Sequence, residues 1–520
     1  MKKLYYGGSI LTMCGENPEA LLCENGIITA VGTLENVRRH EGGAEYIDLR
    51  GKCLIPAFID SHSHITALAG TLGLCALGGA DSTDEIKRRI SIFKKTEATV
   101  GGWVMGFGYD NNLLEGGAHP DRKMLDEICP DLPLMITHAS GHMGVLNSRA
   151  LAALDITRET ENPDGGRIGH YPDGEPNGYL EETAFTVWSA RIPRGETDIA
   201  AKIRRAEDIY FSHGIATIQD GLTRRSEWTL LSSLAAAGHL RADIVSYPDM
   251  KLCPEIVCEN VDYNNYRGHL RIGGYKIFLD GSPQGRTAYM SEPYESDEYR
   301  GYPIYSDAEV RAFVERAENE GRQLLAHCNG DAAAEQFIAA YEQVTKGRVS
   351  VSRPVMIHAQ LVRRDQLRRM AALGMTASFF AAHIKYWGDA HINNFGMSRA
   401  AYISPLASAE RCGVNFTLHQ DSPVIAPDML ESVQCAVRRV TSNGVTLAPD
   451  EKIGVMSALK AVTRSAAYQY GEESGKGILA QGCRADMVIL SRSPLEVQTE
   501  DIEKITVQET IKDGITVYKS

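Results

Sequence analysis

The sequence predicts an α/β protein: a (β/α)8 TIM barrel, with a composite β-sandwich domain from both chain ends and a large insertion after the first barrel strand. Three observations carry this expectation. Apolar, strand-like runs alternate with helical runs through the middle of the chain, and such alternation implies a parallel sheet. Both ends read as short strands punctuated by glycine and asparagine. Side chains of metal-ligand type stand at or near the ends of several central runs, where the active site of such a barrel lies.

Taken in order, the segments 3–6, 9–13, 20–24 and 27–31 read as hairpin strands of a small β-domain. Eight strand-like runs follow, at 53–59, 215–219, 242–247, 272–279, 323–327, 354–358, 374–379 and 414–419. Helical patterns at 198–212, 226–238, 307–320, 331–345, 364–373, 404–412 and 428–440 separate or follow them. An open doubly wound sheet would also hold eight strands; the barrel is the preferred reading. Residues 70–197 are too long for one crossover and predict a mixed α/β insertion near the active-site mouth. Near the far end, 485–490 and 506–518 are strand-like, with Asp513-Gly514 as a turn signal. The expected division is 1–52 plus 475–520 for the sandwich and 53–474 for the barrel.

Composition narrows the function. The net charge of −13 and pI near 5.7 argue against nucleic-acid or anionic-membrane binding. No run of 18 apolar residues occurs, so no membrane span is expected. Two lysines near the start are not followed by a long apolar core, so no secretory signal is expected. The 11 cysteines are scattered without a C-x-x-C pair and read as mostly buried thiols in a reducing cytoplasm. A small-molecule substrate is expected, and a homodimer by base rate alone.

The chemistry begins at Ile59-Asp60-Ser61-His62-Ser63-His64. Two histidines at spacing two, just past a strand, can turn both imidazoles toward one point. Lys276 lies in the fourth run, His327 closes the fifth, His358 closes the sixth and Asp421 follows the eighth. Imidazole and carboxylate suit Zn²⁺ and its neighbours. Taken singly, His327 and His358 could be core histidines, Asp421 a helix cap, and Lys276 an ion-pair partner of Asp280. An ammonium ion repels metal, but a buried lysine loses its proton readily. The neutral amine can add carbon dioxide, and the resulting carbamate could bridge two cations.

The ordered set resembles the amidohydrolase superfamily, and within it amidohydrolase family 3, the N-substituted formamide deformylase-like branch. The resemblance rests on Ile55 through His64, Gly141-His142-Met143, Asn147 through Leu151, Lys276 through Ser282 with Arg286-Thr287-Ala288, and His327 through Ala333. His358-Ala359-Gln360, Tyr386 through Asp389, Asp421-Ser422-Pro423 and Ala485 through Leu490 extend it over nearly the whole chain. It implies a metal-dependent hydrolase of a carbon–nitrogen bond in an amide, N-formyl or related compound, attacked by a metal-activated hydroxide. His62, His64 and Asp421 would hold one divalent metal, His327 and His358 a second, and carbamylated Lys276 would bridge them. Two Zn²⁺ are implied, with Mn or Fe as substitutes. Asp421 would also be the general acid/base.

Two stretches depart from the pattern. Phe380-Ala381-Ala382 stands before His383 where Gln-Pro is common, and His419-Gln420 stands before Asp421 where small residues are common. His142, His383, Trp387, Asp389 and His419 are the candidate substrate contacts. The competing readings are a mononuclear deaminase on the same fold and a non-catalytic regulator that keeps the barrel. The deaminase is disfavoured because Cys328 through Asp331 contains no glutamate while Lys276 is present.

Overall fold

The computed structural model describes residues 2–15, 17–96, 99, 101–193, 198–295 and 298–520. Positions 1, 16, 97, 98, 100 and 194–197 of the expected terminal and inserted segments therefore lie outside the described residues.

The central apolar runs form parallel strands because both faces are covered. One sheet has the order Leu270–Ile272, Asp243–Pro248, Ile215–Thr223, Phe58–Ile59, with every pairing parallel. A second has the order Gly274–Phe278, Gln323–Cys328, Val355–His358, Thr376–Phe379, Asn415–Leu418, again all parallel. Helices Ile199–Ser212, Arg225–Ala236, Asp307–Glu320, Asp331–Thr345, Arg364–Leu373, Leu406–Cys412 and Met429–Arg438 occupy the expected intervals. Their ends follow local chemistry. In Asp307–Glu320, Ser306 and Glu309 form a reciprocal capping box and Gly321 ends the helix at φ 61°.

The two sheets meet through one stretch of chain. Leu270–Ile272 pairs with the strand Asp243–Pro248, whereas Gly274–Phe278 pairs with Gln323–Cys328. A side chain at Gly273 would collide with the ring of Tyr247, so glycine permits the change of partner. At the opposite edges, Ser61 Oγ donates to Leu418 O (3.1 Å) and His64 N to Ser422 O (2.9 Å). The first run thereby lies against the last.

The run 53–59 is not one strand, contrary to the expectation. Cys53–Pro56 pairs with Ser9–Ile10 and Met487–Leu490, and only Phe58–Ile59 joins the central sheet. At the joint, Ala57 N donates to Asp486 O and Phe58 N to Gly214 O, both at 2.9 Å. Continuous apolar character marks burial but not the partner that provides it. The run 272–279 is likewise two strands, broken at Gly273.

Strands from both chain ends share one five-stranded sheet: Ser9–Ile10, Cys53–Pro56, Met487–Leu490, Val507–Lys512, Ile515–Lys519. A four-stranded sheet, Ile27–Gly32, Ala20–Glu24, Lys2–Tyr6, Glu45–Asp48, accompanies it. Tyr5, Leu21, Leu54, Ile489 and Ile511 form a common apolar cluster. Between 70 and 197 lies a six-stranded sheet with the order Gly166–His170, Pro176–Glu182, Met143–Leu146, Leu134–His138, Val104–Tyr109, Cys75–Ala76. Helices Thr83–Thr96, Arg122–Ile128 and Ser148–Ala153 complete this mixed α/β insertion. Among the described residues no helix is long and apolar enough to cross a membrane.

A buried ionic knot ties the C-terminal segments to the central sheet. Asp243, at the start of its strand, lies 2.7 Å from Lys476 Nζ, 2.9 Å from Lys512 Nζ and 2.7 Å from His269 Nδ1. Burial pushes the Asp243 carboxyl up, but Lys476, His269 and Lys512 outweigh it and hold it well below the usual range. A depressed carboxyl stabilises the fold above its unfolded pKa and loses that contribution as pH falls. Asp243→Asn leaves two buried ammonium groups without this partner, and truncating one member of a buried ion cluster costs about 3–5 kcal/mol. Denaturant unfolding should show a loss of that order at neutral pH, shrinking as the pH falls below about 4.

Candidate metal centre and substrate pocket

The ligand-type residues come from separate segments and meet at the C-terminal ends of the central strands. His62 and His64 follow Phe58–Ile59, and Lys276 sits within Gly274–Phe278. His327 and His358 lie in Gln323–Cys328 and Val355–His358, and Asp421 follows Asn415–Leu418. Asp421 is the hub. Its Oδ1 lies 3.4 Å from His62 Nε2 and 3.3 Å from His64 Nε2, and its Oδ2 lies 3.8 Å from His358 Nε2. Lys276 Nζ is 3.4 Å from His62 Nε2, and His327 Nδ1 is 3.1 Å from His358 Nε2.

These spacings fit a metal. Tetrahedral bonds of about 2.0–2.1 Å place neighbouring donor atoms about 3.3–3.4 Å apart. Among the described residues, His62, His64 and Asp421 form the one group whose three ligand atoms all lie within 4.8 Å of one another. Asp421 Oδ1 is buried and accepts no hydrogen bond, which suits a cation beside it.

Neighbouring groups set the ring orientations. Gln219 Nε2 donates to Ser61 O and to the Tyr470 hydroxyl, both at 2.9 Å, so Oε1 faces His62 Nδ1 at 2.6 Å. His62 therefore carries its proton on Nδ1 and turns the Nε2 lone pair inward. His358 Nδ1 contacts His419 Nε2 at 3.2 Å, and His419 Nδ1 contacts Ser378 Oγ at 2.8 Å. Asp280 clamps the surrounding turns by accepting from Asn329 N (2.9 Å), Gly330 N (2.7 Å) and Tyr289 N (2.9 Å). His358 and Asp421 adopt φ of 71° and 54°, a left-handed conformation that costs non-glycine residues about 1–3 kcal/mol each.

Electrostatics favours neutral donors around one anion. Burial lowers His62, His327 and His358 well below the ordinary imidazole range, and lowers His419 to about 3. Burial also lowers the fully enclosed Lys276 to about 7, against the pull of Asp421. Burial raises Asp421, but His62, His64 and His358 outweigh it and keep the carboxyl well below its usual value.

A cavity of about 20 Å³ opens beside these groups, lined by His327, His358, Asp421, His142, His383 and Gln284, among others. Ser282 Oγ, Gln284 Oε1 and Asn329 Oδ1 belong to its lining and are buried without a hydrogen-bond partner. His142 Nδ1 faces Glu182 Oε2 at 2.8 Å. His419 packs behind His358, their ring centroids 5.2 Å apart. Trp387 supports His383, with centroids 4.5 Å apart, and donates to Asp110 Oδ2 of the insertion at 2.6 Å.

Trp387, His419 and Asp389 do not line the cavity, contrary to the expectation: the first two pack behind lining residues, and Asp389 points away. His383, Trp387 and His391 share one face of helix His383–Ala400, while Asp389 accepts from Thr441 Oγ1 (2.9 Å) and Asn443 N (3.2 Å). Residues two apart on a helix do not share a face. Gln219, Glu182, Ser282 and Gln284 were missed by sequence reasoning. Only Gln219 carried a signal, as a polar residue at the end of an apolar strand. Gln219→Leu removes the acceptor that fixes the His62 tautomer, and loss of such a partner typically weakens metal binding 10–100-fold. Chelator competition on metal-loaded protein should show that loss.

The amidohydrolase family matches residues 45–518 of the chain. The putative amidohydrolase YtcJ of Bacillus subtilis (strain 168) is 27% identical over 548 residues, spanning 100% of both chains. The N-substituted formamide deformylase of Arthrobacter pascens is 28% identical, covering 96% of this chain and 95% of its own. The crystal structure of an uncharacterized metal-dependent hydrolase from Pyrococcus horikoshii OT3 aligns with a TM-score of 0.76 and 25% identity. That alignment covers 96% of this chain and 99% of the other, in keeping with a TIM-barrel-like α/β fold. With ten-elevenths of its length matched and a donor set that suits a divalent cation, this chain belongs to the amidohydrolase family.

Proposed function

We propose that the protein hydrolyses a carbon–nitrogen bond of a small amide, N-formyl or related compound, and that it uses two divalent metals, Zn²⁺ or its Mn or Fe substitutes. The observation that carries this reading is the enclosed Lys276 amine, 0% exposed and 3.4 Å from His62 Nε2. His62, His64 and Asp421 would hold one ion, His327 and His358 the other, and Lys276 as a carbamate would bridge them. When bound, such ions polarise a carbonyl oxygen and make water acidic enough to attack near neutral pH.

The side chains supply the rest. A pKa of about 7 leaves much of the Lys276 amine uncharged at neutral pH. The uncharged nitrogen attacks carbon dioxide, forms the N–C bond of a carbamate and releases one proton. Ionised Asp421 accepts a proton from the attacking water and returns it to the leaving nitrogen as the carbon–nitrogen bond breaks. His142 and His383 line the pocket and orient the substrate. His419 holds His358, and Trp387 holds His383. A mononuclear deaminase would leave the buried lysine without a task.

The same reading includes closure of the two parallel sheets into one barrel, with the shared terminal sheet as part of a composite sandwich. Within it, 1–52 plus 475–520 forms the sandwich and 53–474 the hydrolase domain, in a protein of the cytoplasm.

Zn²⁺- or Mn²⁺-loaded protein supplied with bicarbonate should release amine from members of an N-formyl, N-acyl and cyclic amide panel. Ammonia release alone, without amide cleavage, would contradict the assignment. Asp421→Asn should lower the rate about 10²–10⁴-fold while the melting curve keeps its cooperativity. Reactivation of metal-depleted protein by Zn²⁺ supplied with carbon dioxide should accelerate as the pH rises through about 7, because the neutral amine is the reacting form. Lys276→Met should abolish that pH dependence.

A further inference from the structure

His383 lines the cavity beside Asp421, and a second imidazole holds its ring. His383 Nδ1 lies 3.2 Å from His391 Nε2. The two ring planes differ by 4° and the centroids are 5.4 Å apart. Two imidazoles span about that distance when one N–H···N bond lies along the line of centres. The rings therefore meet edge to edge in nearly one plane, which is the geometry of a straight hydrogen bond. The helix sets this up: His383, Trp387 and His391 recur at intervals of four on His383–Ala400. Both histidines are buried, and Phe395 stacks on His391 with centroids 5.7 Å apart.

One proton occupies the bond, and the surroundings decide which ring supplies it. Burial, with His391 second, holds His383 well below the ordinary imidazole range, and burial lowers His391 to about 3. Neither ring is charged at neutral pH, so each carries a single N–H. His391 Nδ1 is buried and meets no partner. With the proton there, an N–H would be sealed away without an acceptor, a costly and rare state. With the proton on Nε2, His391 donates to His383 Nδ1 and leaves only a lone pair unmatched. His383 must then carry its own proton on Nε2. Among the described residues, Nδ1 is the one nitrogen of His383 with a hydrogen-bond partner, so Nε2–H is left for a ligand.

We propose that His383 is a catalytic residue whose Nε2–H donates to the carbonyl oxygen of the scissile amide, and that His391 is the positioning residue that fixes this tautomer. The proposal rests on the amidohydrolase reading above and adds the atom that meets the substrate oxygen. A cavity of about 20 Å³ admits one water-sized group, and a carbonyl oxygen is of that size. Solvent reaches the same place, because the side chains of His142 and Asp421 keep 22% and 13% of their exposure. As water attacks the carbonyl carbon, the π pair moves onto oxygen, and a donor already fixed beside it stabilises that charge without reorganising. The proton stays on His383 Nε2 throughout, while Asp421 carries the one that moves. His383 also stands in the first turn of its helix, where the positive end of the backbone dipoles disfavours a charged ring and strengthens a neutral donor.

Neutron diffraction from perdeuterated, zinc-loaded full-length protein locates these protons without any substitution. Deuterium on Nε2 of both His383 and His391 is expected, and deuterium on His383 Nδ1 would overturn the proposal. On any amide of the panel that the wild type cleaves, His383→Leu should lower kcat about 10²–10³-fold while KM moves less. His391→Phe leaves the tautomer unfixed, and loss of a partner that orients an imidazole costs about 10–100-fold. His391→Gln should recover most of that loss, because its amide N–H can donate to His383 Nδ1. An unchanged kcat in His383→Leu, or equal rates in His391→Phe and His391→Gln, would also overturn the proposal. Wild-type protein that cleaves no amide refutes the amidohydrolase reading and the role of His383 within it. The neutron map then still decides whether His391 fixes the tautomer.

Discussion

A primary amine sealed among imidazoles is the constraint on which the rest of this structure depends. Lys276 has no exposure to solvent and sits within a strand paired in parallel with Gln323–Cys328. Burying an isolated ammonium ion is prohibitive, so the amine gives up its proton or gains a compensating partner. Asp421 is the anion that tempers its shift, and it stands among His62, His64 and His358 as well. Inward-facing lone pairs, one carboxylate and two left-handed backbone positions describe a cluster assembled against its own stability. Such arrangements persist where surrounding structure over-determines them and where a cation repays the cost.

The surroundings act in layers. Gln219, itself fixed by Ser61 and Tyr470, turns His62 inward. His419 and Ser378 orient His358, and Asp280 gathers three backbone amides from two loops. Burial raises the Asp280 carboxyl to about 7 against those amides. The insertion forms the outer layer. Glu182 through Thr287, and Asp110 through Trp387, bring its sheet against the loop that follows Gly274–Phe278 and the helix His383–Ala400. The ligand-type side chains thus sit on the parallel strands, while the insertion borders the cavity beside them through Ser140 and His142.

Much of this was legible in the residue order. His62, His64, Lys276, His327, His358 and Asp421 stand out because ligand-type side chains rarely recur near successive strand ends. Seven helical intervals and the mixed insertion followed from periodicity and length. The split of 53–59 did not, because a buried strand reads the same whichever sheet buries it. The break at Gly273 hid for the same reason. Asp389 was misplaced because adjacency to Trp387 in sequence is not adjacency on a helix face. Glu182 escaped because its role depends on Thr287 and His142, which are 105 and 40 residues away. Long-range pairing of that kind leaves no periodic trace.

The most direct test is anomalous diffraction from crystals grown with Zn²⁺ and bicarbonate. Two metal peaks are expected: one bounded by His62, His64 and Asp421, the other by His327 and His358, with carbamate density on Lys276 between them. A single peak beside an unmodified Lys276, or metal bound away from these side chains, would contradict the two-metal centre.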